Sequence, residues 1–515
     1  MSDIVLITTN SKKENYSTTA DKYSAFPPNI PLLITEAYLS SKDIDVKIMD
    51  TETYPKSMKQ IIQDLNDINP KVVGVFCSGS NPSASTMSMV GAQNFFNELK
   101  NSKYDFLTFV SGGHPTVLPE RTLHELSTDF VVLGEGYKAM EEIISFSKGK
   151  IEKNKISSVA YFDKDKLVKN EINELIKDIG TLPRINWHKV NTQDYRAHNW
   201  HCFGDSIKNR SPYAIIWTNQ GCPYPCNFCS INNIFGKRGY RLREMKDVVA
   251  EIDILYNEFN IRNLKILDEL FVFKNPRLDE FCDLLEERNY NLNMWCFART
   301  DTVTPEILKR LKKVGVNWIA YGFESFDGAI LEATRKKNKA NVLDTIKWTK
   351  DADINICADV IAGLWQDNER TINMTRDFMM ENEFEWVNIY PAFAYPGTPL
   401  YDEYINKSII SEPQNWNIYG LYSKKCNPCP TNYLSSSEVL RLRDKVFHDY
   451  YHNEKILRMI ERKFGTETLN HVVEMVKTPL EREIFDEKNK LNIPPGGFAG
   501  QGINIPKPKY NSLVV

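Results

Sequence analysis

The sequence predicts an α/β protein in three parts: an N-terminal doubly wound parallel sheet, a central partial barrel of strand–helix units, and a mostly helical C-terminal region. Three observations predict it. Short apolar runs alternate with helix-like stretches over residues 1–150, the alternation restarts near residue 211 without an obvious reversal of order, and the strand signal fades after about residue 400. A chain of 515 residues also exceeds what one hydrophobic core usually holds.

In residues 1–150 the candidate strands are DIVLIT (3–8), DVKIM (45–49), KVVGVFC (71–77), DFLTFV (105–110) and DFVVL (129–133). Between them lie amphipathic stretches such as PLLITEAYLSS and ASTMSMVGAQNFFNELK. Strands rich in Val, Ile and Phe, each followed by a helix, argue for a parallel sheet, whose ligands sit at the strands' carboxyl ends. Those ends carry CSGSNPS, SGGHP and GEG, which are either ligand-approaching loops or tight turns.

Residues 151–210 read as a hairpin, SSVAYFDKDKLVKNE, followed by an irregular polar linker. Residues 211–400 then supply six candidate strands at 213–219, 263–268, 292–298, 317–323, 356–364 and 385–393. Helices fill the gaps; in MKDVVAEIDILYNEF, residues Met245, Val248, Val249, Ile252, Leu255 and Tyr256 share one face. A barrel or partial barrel follows, with its site at the strand C-termini. In residues 401–515, Ser435 and Glu438 form a capping-box pattern ahead of a helical run with Val439, Leu442, Val446, Phe447 and Tyr450 on its apolar face. The last stretch, NIPPGGFAGQGINIPKPKYNSLVV, reads as an extended tail or loop.

Composition excludes several classes. With 42% hydrophobic and 25% charged residues and a net charge of -3, no basic footprint for nucleic acid is present. No apolar run reaches the 18 or so residues of a membrane span, and the N-terminus lacks the pattern of a cleaved leader. Ten cysteines are too sparse for a disulfide scaffold, so a reducing, cytoplasmic setting with metal chemistry is expected.

Three of those cysteines, Cys222, Cys226 and Cys229, stand in NQGCPYPCNFCS after the first barrel strand. A structural zinc site wants four ligands. A cubane iron–sulfur cluster held by three thiolates leaves one iron open. The CxxxCxxC spacing, with Phe228 before the last cysteine, resembles the signature of the radical SAM superfamily. That resemblance implies a 4Fe-4S cluster whose open iron binds S-adenosylmethionine and, on reduction, yields a 5′-deoxyadenosyl radical. It further implies SAM contacts from Phe228, from Asp268 at the end of strand two, from Arg299 after strand three, from Glu324 and Ser325 in GFES, and from Gln366 in AGLWQDNERT. LDELF lacks the family's glycines after strand two, and Gln366 stands where an acid is common.

The first part, with FPPNIPLLITEAYL, SGGHPTVLPE and VVLGEGYKAMEEI, resembles the Rossmann-like cobalamin-binding domain fused ahead of many radical SAM enzymes, whose second domain is a partial (β/α)6 TIM-like barrel. The resemblance implies that Ser78, Ser80, Gly112, Gly113, His114, Gly134, Glu135 and Gly136 surround the corrin. The loop after strand one holds no histidine, so a lower cobalt ligand is not supplied there. The implied activity is methyl transfer from methylcobalamin to an unactivated carbon of a small molecule, with electrons from a donor such as flavodoxin or ferredoxin. Rival readings are a rearrangement, ring contraction or cyclisation, methylthio transfer to RNA, and a cobalamin sensor with a degenerate barrel. Cys426 and Cys429, in CNPC, are either half of a second metal site or two thiols of a loop.

Overall fold

The computed structural model describes residues 2–16, 22–173, 175–205, 207–273, 275–336 and 341–485; the Gly/Pro-rich stretch at the C-terminus lies outside them.

The first sheet has seven strands: β1 (Ile4–Thr8), β2 (Val46–Met49), β3 (Val72–Phe76), β4 (Leu107–Ser111), β5 (Phe130–Val132), β6 (Val159–Asp163) and β7 (Lys166–Lys169), in the order β2-β1-β3-β4-β5-β6-β7. The first five are parallel and the last two antiparallel. The order 2-1-3-4-5 is that of a doubly wound sheet with its switch point between β1 and β3. Every residue of β1 and β3 is buried, as strands covered by helices on both faces must be. The hairpin expected in the linker segment is therefore not free-standing: it extends this sheet, because β6 pairs with β5 through Val131 and Val132.

A two-stranded ribbon, β9 (Asn219–Gln220) and β10 (Arg241–Leu242), brackets the cysteine loop. The barrel strands are β8 (Tyr213–Ile216), β11 (Asn263–Ile266), β12 (Asn293–Ala298), β13 (Val316–Glu324), β14 (Asn355–Ala362) and β15 (Trp386–Pro391), all parallel, in the order β15-β14-β13-β12-β11-β8. The sheet curls without closing, so β15 and β8 are edges. The helix Ser436–His452, which carries the expected capping box, covers the β15 edge. Its Arg443 Nε donates to Ile389 O at 2.6 Å, its Tyr450 hydroxyl donates to Phe384 O at 2.5 Å, and its Tyr451 hydroxyl accepts from Val387 N at 3.1 Å. Side chains thus satisfy backbone groups that would otherwise template further pairing.

The segment read as a polar linker holds a buried apolar set. Trp187, Tyr195, Trp200 and Phe203 are buried, and the Trp200 ring lies 5.1 Å from those of both Trp295 and Trp318. His201 Nε2 lies 2.9 Å from Asn293 O, and Asn293 Nδ2 donates to His201 O, so this segment plugs the end of the barrel where the strands begin. Among the described residues this leaves the opposite end of the barrel, at the strand C-termini, for a site.

Candidate functional site

The C-terminal ends of the two sheets face one another across a cavity of about 1080 Å³ including its mouth. One wall is built from Ser78, Ser80, Gly112, Gly113, Gly134 and Glu135, which follow β3, β4 and β5. The other comes from residues after β8 and β11, among them Gly221, Ser230, Asp268 and Glu269. Gly221 and Ser230 are the sequence neighbours of Cys222 and Cys229, so the cysteine loop borders this space.

The glycine wall exists because backbone must approach backbone there. Gly112 has φ +145°, and a Cβ on it would stand 2.1 Å from Cys77 O. Ser85 Oγ closes the same knot, donating to Cys77 O at 2.6 Å and accepting from His114 N at 2.9 Å. The Glu135 carboxylate is engaged: Arg241, on the ribbon beside the cysteine loop, contacts it through both terminal nitrogens, and Ile176 N donates to it at 3.2 Å. This largely buried pair ties the two domains together beside the cavity.

Two of the residues expected at the corrin stand elsewhere. Gly136, at φ +69°, lets the chain turn tightly against Val132 and does not line the cavity. The His114 ring is buried, 4.3 Å from the Trp416 ring, with Nδ1 3.3 Å from Thr86 Oγ1. Burial, aided by Arg121, pushes its pKa down to about 3. The folded chain therefore keeps this imidazole neutral while the unfolded chain protonates it below its ordinary value, so its contribution is present above about pH 6.5 and is lost as pH falls toward 3. The stability of His114→Gln relative to wild type is expected to rise by about 1.4 kcal/mol per pH unit between pH 6 and 4, measured by urea unfolding. A difference that does not change with pH would refute the assignment.

Cys222, Cys226 and Cys229 are partly exposed, while the other seven cysteines are buried. The loop that presents them is anchored at several points. Gly239 N donates to Cys222 O, Asn227 N to Thr334 O and Leu400 N to Asn227 O. Phe228 packs against the small apolar cluster of Leu400, Tyr401 and Tyr404. The Arg299 guanidinium stacks 3.8 Å from the Tyr224 ring and is clamped by Asp301 at 2.9 and 3.0 Å. Burial raises all three thiol pKa values; Cys229 feels Glu269 next, and Cys222 and Cys229 each feel Cys226. Among the described residues no three His, Cys, Asp or Glu side chains converge on a single ion. A cluster takes its thiolates at separate corners, so three accessible thiols on one braced loop fit a cubane.

The two carboxylates after β11 divide their tasks. Asp268 is fully engaged, accepting from Thr218 N at 2.7 Å, Thr218 Oγ1 at 2.5 Å, Asn219 N at 3.1 Å and Asn219 Nδ2 at 2.8 Å. It braces the chain entering the cysteine loop. Glu269 faces the cavity, and burial lifts its pKa to about 7 against the pull of Lys265. Glu324 ends β13 at φ +62°, a strained conformation for a non-glycine residue, with Oε1 2.6 Å from Lys336 Nζ. Ser325 is buried, and its Oγ accepts from Asp327 N at 3.2 Å. Gln366 is exposed and outside the cavity, whereas its neighbour Asp367 is buried and caps Gly363 N and Leu364 N at 2.9 and 3.0 Å. In CNPC, Cys426 and Cys429 are buried free thiols pushed up to about 12; Cys429 Sγ accepts from Ala394 N at 3.2 Å.

Residues 218–379 match the radical SAM superfamily, and residues 16–144 match the B12 binding domain. The chain joins a B12-binding domain to a radical SAM domain. It is a cobalamin-dependent radical SAM enzyme, with S-adenosylmethionine, a 4Fe-4S cluster and cobalamin as cofactors. An uncharacterised methyltransferase of Pyrococcus horikoshii is 25% identical to it over 427 residues, covering 82% of this chain and 88% of the relative. An anaerobic magnesium-protoporphyrin IX monomethyl ester cyclase of Rubrivivax gelatinosus is 26% identical over 386 residues, covering 73% of this chain and 65% of the relative. The solved radical SAM methyltransferase TsrM of Kitasatospora setae, with cobalamin and a 4Fe-4S cluster bound, superposes with a TM-score of 0.62 at 16% identity, over 80% of this chain and 76% of that one. That likeness concerns the fold. Among the described residues of this radical SAM enzyme, no helix is long and apolar enough to cross a membrane.

Proposed function

We propose that the enzyme is a methyltransferase acting on an unactivated carbon of a small metabolite or biosynthetic intermediate, with flavodoxin or ferredoxin as its electron donor. The observation that carries this reading is the shared cavity: the glycine-walled face of the B12-binding domain and the cysteine-loop face of the barrel open into one space. When bound, the three cofactors would supply a radical that takes hydrogen from carbon and a methyl group to replace it.

In this reading Cys222, Cys226 and Cys229 hold the cluster. Phe228 and Arg299, through Tyr224, keep the loop rigid. Glu269 and Glu324 receive the polar groups of S-adenosylmethionine, Glu269 taking the place first assigned to Asp268, and Asp268 fixes the entry to the loop. Ser78, Ser80, Gly112, Gly113 and Gly134 form the cobalamin wall. The Arg241–Glu135 pair holds the two walls in register and so keeps bulk water from the space between them. The methyltransferase names among the relatives support methyl transfer; the cyclase name supports a rearrangement or cyclisation with the same cofactors.

Product analysis separates the two. With substrate, anaerobically reconstituted enzyme is expected to form one S-adenosylhomocysteine and one deoxyadenosine per product, and the product should gain one methyl group. Deoxyadenosine without S-adenosylhomocysteine, together with a product of unchanged mass, would overturn methyl transfer and leave the rearrangement.

A further inference from the structure

The segment that returns from the cysteine loop carries positive charge that neither domain neutralises. From Lys237 to Lys246 the sequence KRGYRLREMK holds five cations and one acid, in a chain whose net charge is -3. Two of the five are engaged inside: Arg241 pairs with Glu135, and Arg243 is buried against Asp247 and Glu251. Lys237, Arg238 and Lys246 are exposed, and among the described residues none of them forms an ion pair. Glu244 and Glu280 line a groove with Lys246 and Arg277, so the unbalanced part of the run is the turn that carries Lys237 and Arg238.

That turn stands on the cysteine loop itself. Gly239 N donates to Cys222 O at 3.2 Å, and a Cβ on Gly221 would lie 2.5 Å from Gly239 O, so backbone meets backbone with no side chain between. The approach to the turn is held inward: Asn233 Nδ2 donates to Pro396 O at 2.8 Å, and Ile234 and Phe235 line the cavity. From Gly236 to Tyr240 every residue is exposed. Gly236 and Gly239 have φ +64° and +136°, and a Cβ added to either would meet nothing within 4 Å, so the turn projects into solvent. Tyr240 is 39% exposed, and its ring lies 4.8 Å from that of Phe273. Two unpaired cations beside an exposed aromatic ring, one hydrogen bond from Cys222, make a surface suited to a protein that must reach the cysteine loop from outside.

We propose that the turn at residues 236–240 is the docking site of an acidic one-electron carrier protein, with Lys237 and Arg238 meeting its carboxylates and Tyr240 packing at the centre of the contact. The step served is a single electron: the reduced carrier is oxidised by one electron, the cluster is reduced by one, and no bond or proton is exchanged across the interface. Opposite charge steers such an encounter, and transient electron-transfer contacts lie at the small end of protein interfaces, which one turn can supply. A nucleic acid would need a longer basic stripe than two free cations in a chain of net negative charge. The inference rests on the reading that flavodoxin or ferredoxin is the electron donor and that Cys222 holds the cluster.

The test uses the enzyme loaded with cluster and cobalamin and follows deoxyadenosine formed from S-adenosylmethionine, driven either by reduced flavodoxin or by dithionite, which needs no docking. Lys237→Glu combined with Arg238→Glu is expected to raise the KM for flavodoxin about tenfold or more and to weaken calorimetric binding of oxidised flavodoxin in parallel, with the dithionite-driven rate and the iron content unchanged. Added salt should raise the wild-type KM and hardly move that of the double variant. Lys237→Arg combined with Arg238→Lys should behave as wild type, because charge and not shape is read. A flavodoxin KM untouched by the charge reversal, a dithionite-driven rate that falls with it, or a wild-type KM indifferent to salt overturns the proposal. A wild type that dithionite drives and flavodoxin does not overturns it together with the choice of donor. Methyl gain in the product is a separate readout, so its absence beside an intact charge dependence sinks methyl transfer alone.

Discussion

Cys226→Ala is expected to reduce deoxyadenosine formation to the rate without enzyme, a loss of roughly a million-fold or more, because it removes a cluster ligand and with it the reaction that the whole catalytic factor serves. Cys226 is one of three partly exposed thiols, on a loop braced at Asn227 by Thr334 and Leu400 and stacked at Tyr224 on Arg299. Those anchors do not pass through the Cys226 side chain, so the variant should fold and keep its B12-binding face. Iron and sulfide per chain should fall together, while cobalamin binding, followed by its absorption, stays near wild type. Cys282→Ala is the control: that thiol is buried in the helix Pro276–Arg288 and should change stability without changing iron content. A Cys226→Ala protein with wild-type iron and undiminished SAM cleavage would remove the basis for assigning the cluster to this loop.

The strands of both sheets could be placed from sequence because each is a compact apolar run with polar punctuation, and β1 and β3, buried throughout, show why alternation is missing in them. The plug of the barrel could not. Trp200 and Phe203 are scattered among polar residues with no period, and what buries them is the barrel end, far away in sequence. The site was legible where its chemistry resides in a short motif, as in the cysteine loop. It was less so where the choice lies between neighbours: Asp268 against Glu269, or Gln366 against Asp367. In each pair one side chain braces backbone nitrogens while its neighbour is left to face the cavity, as Glu269 does, or solvent, as Gln366 does, and strand direction at a curled end decides which. Lys265 and Asp359 left a usable signal, a charged residue in the middle of NLKILD and of ICADVIAGL. A charge in the middle of a buried strand needs a reason, and both point to the barrel interior.

Gly112→Ala is expected to be the most damaging single change in the B12-binding domain, costing roughly 3–5 kcal/mol and abolishing cobalamin binding in the protein that still folds. Two costs combine. At φ +145° an L residue is strained wherever space exists, and here space does not exist, since the new methyl would lie 2.1 Å from Cys77 O and 2.9 Å from Ser85 Oγ. Neither neighbour is free to move. Cys77 N is hydrogen-bonded to Ser111 O at 2.8 Å at the end of the β3–β4 pairing, and Ser85 Oγ bridges Cys77 O and His114 N. Relief would have to come from moving the loop after β4 outward, into the cavity that Gly113 lines. The same displacement that relieves the strain therefore narrows the space for the corrin, which is why stability and cofactor affinity should fall together. Gly149→Ala provides the contrast: at φ +69° it carries backbone strain, but nothing lies within 4 Å of its added methyl. It should cost about 1 kcal/mol and leave cobalamin affinity unchanged. Urea unfolding and cobalamin titration of the two variants measure this directly, and a Gly112→Ala protein that binds cobalamin as tightly as wild type would show that the wall does not approach the corrin.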